Sequence, residues 1–157
     1  MLKLRNSSLI LIVLTGFTYP TLPVLAQKHD FNNFSLVAGF NPLEIIVTGY
    51  TSGAYSLASI VNQDKYGNPC MGYGDPKPDH VMVLEDDFSE LILQVDSGGQ
   101  DTTLVIRGPD NEIRCGFGQN NLKDALIKGS DWQAGEYYIW VGSIVPNQKA
   151  NYRLSVK

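Results

Sequence analysis

Read for the spacing of apolar and polar positions, the chain is a ladder of short strands. Leu91, Leu93 and Val95 alternate with polar neighbours, as do Tyr152, Leu154 and Val156 against Arg153, Ser155 and Lys157. A period of two puts successive side chains on opposite sides of a sheet. The same reading predicts strands over Leu43 to Thr48, Ala54 to Val61, Val81 to Leu84, Leu91 to Asp96, Thr102 to Arg107, Glu112 to Cys115, Tyr137 to Val141 and Tyr152 to Val156. Gly108-Pro109-Asp110-Asn111 reads as the turn of a hairpin, because proline presets φ at the first turn position and Asp and Asn suit the next ones. Asn62 to Asp79 carries too much glycine and proline for an element interior and reads as a long surface loop tethered by Cys70. Asn121 to Ile127 could form one helical turn. No strongly amphipathic helix is evident, so an antiparallel β-sandwich of a single domain is expected.

The first 26 residues break this pattern. Lys3 and Arg5 precede the apolar run Leu9 to Leu14, and Val24-Leu25-Ala26 closes the segment. This is the layout of a secretory signal peptide, with cleavage expected after Ala26. Gly16, Pro20 and Pro23 interrupt the roughly 20 apolar residues a membrane span needs. No membrane span is expected after cleavage, and the mature chain is expected in the periplasm or outside the cell. Residues 27–35 read as a flexible lead-in and residues 36–157 as the domain. Removing Lys3 and Arg5 from a chain of net charge −4 leaves −6. That balance argues against nucleic acid and anionic membrane surfaces as partners, both of which need basic patches.

Export changes the meaning of Cys70 and Cys115. An even pair in an oxidising compartment is most simply one disulfide. Neither cysteine has CxxC spacing, and His29 and His80 are isolated, so zinc is not expected.

Several segments together resemble the bacterial pre-peptidase C-terminal domain. They are Cys70-Met71-Gly72-Tyr73, Pro78-Asp79-His80, Asp101 to Asp110, Arg114-Cys115, and Trp132-x-Ala134-Gly135-x-Tyr137-x-Ile139-Trp140-Val141-Gly142. The likeness spans roughly Leu36 to Lys157. It implies a jelly-roll-like β-sandwich, usually appended to a secreted peptidase, with no catalysis of its own; some such domains bind calcium or extracellular polymers. Many relatives place two acids soon after the second cysteine, where this chain has Gly116-Phe117-Gly118. Calcium prefers six to eight oxygen ligands, so this departure predicts weak calcium binding or none.

Candidate chemistry is sparse. Glu85, Asp86, Asp87, Asp101 and Asp110 are the carboxylates that could gather at one end of a sandwich around calcium, although such acids are more often solvated turn residues. Trp132, Tyr138 and Trp140 could offer aromatic surface to a sugar ring or a partner pocket, or could pack between strands. Asp96-Ser97-Gly98-Gly99 is similar to the segment around a trypsin-like nucleophile. A hydrolase using Ser97 with His80 as base is the enzymatic alternative, against which Ser97 to Gln100 reads as a turn between two strands. The leading expectation is a non-catalytic binding or accessory module, without a required cofactor, whose partner is a protein or polysaccharide of the envelope or its surroundings. A purely structural envelope protein is the third alternative.

Overall fold

The computed structural model describes residues 33–43, 45–118 and 123–157. The signal segment and most of the lead-in lie outside the described residues. Among the described residues eleven strands follow one another: β1 Phe34–Leu36, β2 Ile46–Tyr50, β3 Tyr55–Ser56, β4 Tyr73–Gly74, β5 His80–Leu84, β6 Phe88–Asp96, β7 Thr102–Arg107, β8 Ile113–Phe117, β9 Leu126–Trp132, β10 Gly135–Ser143 and β11 Asn151–Val156. The fold is an all-β single domain. Among the described residues no helix is long and apolar enough to cross a membrane.

The layers are not two separate sheets. One continuous sheet runs β1-β5-β10-β7-β8-β9-β6-β11-β2 and turns over at a single β8–β9 pair, Phe117 with Leu126. Its two halves close on one core. Met82, Leu84, Leu104, Ile106, Tyr137, Ile139 and Val141 come from one half, and Leu91, Leu93, Val95, Ile127, Tyr152, Leu154 and Val156 from the other. The sheet is mixed rather than antiparallel, because β1 joins β5 in parallel. Phe34 and Ser35, the end of the expected lead-in, are therefore strand residues.

A second apolar cluster lies on the outer face of the β10-β7-β8 half, where Leu57, Cys70, Val105, Cys115 and Trp140 meet. The segment from Leu57 to Gly72 covers this face, and the Cys70–Cys115 disulfide fastens it to β8. The cover lies close to the sheet. A Cβ on Gly72, whose φ is +104°, would fall 2.2 Å from Thr103 Oγ1.

Three expectations need correction. Ala54 to Val61 is not one strand: two residues pair with β4, and a 3-10 turn over Leu57–Ser59 follows. Leu57, Ile60 and Val61 lie three and four positions apart, so the turn directs all three at the second cluster. The β-strand over Leu126–Trp132 replaces the expected helical turn, of which Asn121 and Leu122 lie outside the described residues. It runs antiparallel to β6 from Phe88–Trp132 to Gln94–Leu126. Finally, β2 begins at Ile46 rather than Leu43, which is 84% exposed.

Candidate functional site

Two of the aromatic residues expected to meet a ligand are inside the protein. Trp140 is 3% exposed and packs in the second cluster; Trp132 is 1% exposed. Their burial corrects the expectation of ligand-facing indoles. Tyr138 is half-buried, its hydroxyl donating to Glu136 Oε2 at 2.9 Å, and Arg107 sits over both the Tyr138 and Trp140 rings at 5.4 and 5.6 Å.

The carboxylates are dispersed. Asp86 Oδ2 accepts Ala38 N–H at 2.8 Å and Asp87 Oδ1 accepts Ala134 N–H at 2.7 Å, so both hold turns together. Leu84 pairs with Gly135 and Arg107 with Tyr138, which puts Glu85 to Asp87 and Asp110 at one end of the sandwich. Thr102 pairs with Ser143, which puts Asp101 at the other end. Among the described residues no three His, Cys, Asp or Glu side chains gather as a metal site.

Ser97 and His80 are engaged elsewhere. The Ser97 hydroxyl donates to Asp124 and accepts Gln100 N–H at 3.0 Å, while His80 Nε2 is 2.9 Å from the Tyr152 hydroxyl. A general base must lie within hydrogen-bond reach of its nucleophile, and these two side chains are not hydrogen-bonded to each other.

Residues of which sequence reading singled out only Trp132 and Asp110 for ligand chemistry build a more organised corner, where the 62–70 loop crosses the β8–β9 edge. Its centre is Arg114, 2% exposed. The guanidinium stacks 3.9 Å above the Trp132 ring, and Nη2 donates to Glu112 Oε1 at 2.9 Å and to the carbonyls of Ser130 and Asp131 at 2.9 and 3.2 Å. Glu112 also pairs with Lys65 from the loop. A buried cation is tolerated when paired and hydrogen-bonded in this way, and Trp132 adds a ring face to it. Trp132 is itself pinned, its Nε1 donating to Gly129 O at 2.9 Å.

Asp64 shapes the loop. Its two oxygens accept the backbone N–H groups of Tyr66, Asn68 and Cys115 and the side-chain amide of Asn68, at 2.8 to 3.1 Å. Burial pushes the Asp64 carboxyl pKa up, but these hydrogen bonds outweigh it and hold the group below the ordinary aspartate value. The loop tip, Lys65 and Tyr66, thus stands between two openings. One, of about 500 Å³, is bordered by Gln63, Asp110, Asn111, Asp131 and Gln133. The other, of about 240 Å³, lies between Tyr66, Asn68, Arg114 and the Leu126 to Gly129 stretch of β9. Asp110, Asn111 and Asp131 hold φ near 54°, 59° and 58°, left-handed conformations that Asp and Asn adopt readily and that fix the rim of the larger opening.

Gly129 lets the corner close. A Cβ there would fall 2.3 Å from Arg114 Nη1. Gly129→Ala is expected to displace the guanidinium from Trp132 and cost about 1–3 kcal/mol, in the range of overpacked sites. A lower melting temperature with altered tryptophan fluorescence is the expected result; an unchanged melt and spectrum would contradict the packing described.

No protein-family profile matches the chain, and no curated protein matches it. Among solved structures, the pre-peptidase C-terminal domain of a collagenase from Bacillus anthracis is similar to 81% of this chain over 96% of its own length, at 16% identity and a TM-score of 0.45.

Proposed function

We propose that the chain is an exported, non-catalytic binding module and that its ligand, a polysaccharide of the cell envelope or its surroundings, is held at the Arg114 corner. The observation that carries this reading is the larger opening. Its border sets the side-chain amides of Gln63, Asn111 and Gln133 beside the carboxylates of Asp110 and Asp131, on turns fixed by backbone conformation. Planar amides and carboxylates offer paired donors and acceptors to sugar hydroxyls. The core of a protein–protein interface would instead be depleted of charge and rich in aromatic residues.

The test is retention of residues 27–157 on immobilised envelope polysaccharides and on envelope proteins, with and without calcium. Retention on polysaccharide, lost in the Asn111→Gly, Gln133→Ala variant, in which glycine keeps the left-handed conformation of position 111, with little change in melting temperature, is the expected result. Retention on protein alone, or retention indifferent to the double variant, would overturn the reading.

Calcium is expected to be dispensable. Asp86 and Asp87 already accept backbone N–H groups, and Asp101 stands at the far end of the sandwich. Thermal melts with calcium and with chelator should coincide, and a large rise in melting temperature with calcium would show that these acids assemble a site.

A further inference from the structure

The strand order leaves two sheet edges, β1 at one end and β2 at the other. They are not equally protected. β1 has three residues, and the Asp86 carboxylate accepts Ala38 N–H just beyond it. β2 has five, and from Ile45 to Val61 the sequence holds neither a charged residue nor a proline. Lysine, proline and very short length are the usual means of keeping an edge from pairing. β2 has none of them.

The ladder with β11 shows which backbone groups this edge presents. Val156 N–H donates to Ile45 O at 3.3 Å and Thr51 N–H to Ala150 O at 2.9 Å. Bonded positions alternate in an antiparallel pair, so the odd-numbered residues from Ile45 to Thr51 face β11. Ile46 and Thr48 turn their N–H and C=O groups to the other side, where no strand pairs among the described residues. Their side chains stand on the outer face. Ile46 is 40% exposed and, with the 84% exposed Leu43, borders an opening of about 370 Å³. An occupant of this edge has to supply an extended, uncharged backbone and an apolar group over Ile46 and Leu43.

A second β2 supplies both. Laid antiparallel about a two-fold axis at Thr48, two copies place Thr48 opposite Thr48, so that the N–H of each donates to the C=O of the other, and Ile46 opposite Tyr50. Threonine pairs, and aromatic rings opposite β-branched residues, stabilise neighbouring strands. Like charges stay apart although the mature chain is acidic. Lys149, whose Nζ lies 4.4 Å from the Tyr50 ring centre, falls at opposite ends of the pair in the two copies. Arg153, beside Thr48 in register, is three strand spacings from its counterpart, about 14 Å, which exceeds the roughly 8 Å screening length of physiological salt. We propose that β2 joins two copies of this chain into an isologous dimer, its sheet continuous across the two-fold axis. The pairing edge is three strands away from β9 and its Arg114 corner.

Sedimentation of residues 27–157 should pass from monomer to dimer between micromolar and millimolar concentration. Thr48→Lys sets two ammonium groups against each other on the axis and should weaken the dimer roughly tenfold, with little change in melting temperature because Thr48 is exposed. Thr48→Cys should form an intermolecular disulfide under mild oxidation, since directly opposed, hydrogen-bonded residues stand about 5.5 Å apart at Cα. Arg153→Cys, exposed one strand further in, should not. A wild type that stays monomeric, a Thr48→Lys variant that dimerises as well as the wild type, or equal cross-linking at the two positions would overturn the inference.

Discussion

The Cys70→Ala, Cys115→Ala variant is expected to melt roughly 15 °C below the wild type. The bridge closes a loop with a sequence separation of 45 residues. In the chain-entropy account this corresponds to about 4 kcal/mol, a large share of the ~5–15 kcal/mol that stabilises a domain of this size. A kilocalorie shifts the melting temperature by about 4 °C here. Location adds to the effect. Cys70 and Cys115 are 2% and 5% exposed and pack with Leu57, Val105 and Trp140, so releasing the loop also uncovers the outer face of β7 and β10. Wild type unfolded under reducing conditions should match the variant. Equal melting temperatures with and without the bridge would show that the cover is held by packing alone.

Stability is expected to fall as pH rises from about 4 to about 7, and the cause is Asp79. It is 7% exposed, and Val141 N–H donates to its Oδ2 at 2.7 Å. Burial pushes its carboxyl pKa up to about 7, the Val141 N–H opposes the shift, and the nearby charge of Asp75 adds to it. The buried His80 and Tyr152 lie beside it in the same interior. In the unfolded chain the group titrates at its ordinary value of 3.8. Between these values the folded state holds a proton that the unfolded state has released, so stability is full below pH 4 and declines through pH 7. The loss is about 4 kcal/mol, at 1.36 kcal/mol per pH unit. Asp64 acts with the opposite sign: its lowered pKa contributes stability above pH 4 that is lost on further acidification. Urea unfolding at a series of pH values checks this. Asp79→Asn should flatten the decline and leave the variant more stable than wild type at pH 8; parallel profiles for the two proteins would contradict the assignment.

The fold is legible in the sequence wherever a strand has one face in the core and one in water. Leu91, Leu93 and Val95, or Tyr152, Leu154 and Val156, announce themselves because only one side of each strand is apolar. The signal fades where both faces are covered. In β7, Thr102 to Ile106 are all buried, since the 57–72 segment packs on the side that alternation would leave to solvent. It also fades in β9, where Gly129 replaces a core side chain to admit the Arg114 guanidinium. That same substitution hides the corner. Arg114, Trp132 and Asp64 lie on three separate segments, and no local spacing says that a charged arginine will stack on a buried indole. One local clue exists. Asp64 followed by Gly67 and Asn68 is a turn-forming set, with Gly67 at φ +88°. The aromatic pattern of β10 is legible as alternation, but which face a segment elsewhere in the chain will cover is a tertiary fact. Trp140 is therefore a packing residue although its strand position reads as outward.

The corner around Arg114, between the 62–70 loop and the β8–β9 edge, is the proposed place where this protein meets its ligand. Backbone amide spectra of residues 27–157, recorded while soluble fragments of envelope polysaccharide are added, test it most directly. Saturable shifts concentrated at Gln63 to Tyr66, Asp110 to Glu112, Arg114 and Lys128 to Gln133 are expected. Shifts gathered instead at the exposed Ile144 and Val145 turn or along β2, with the corner silent, would contradict it.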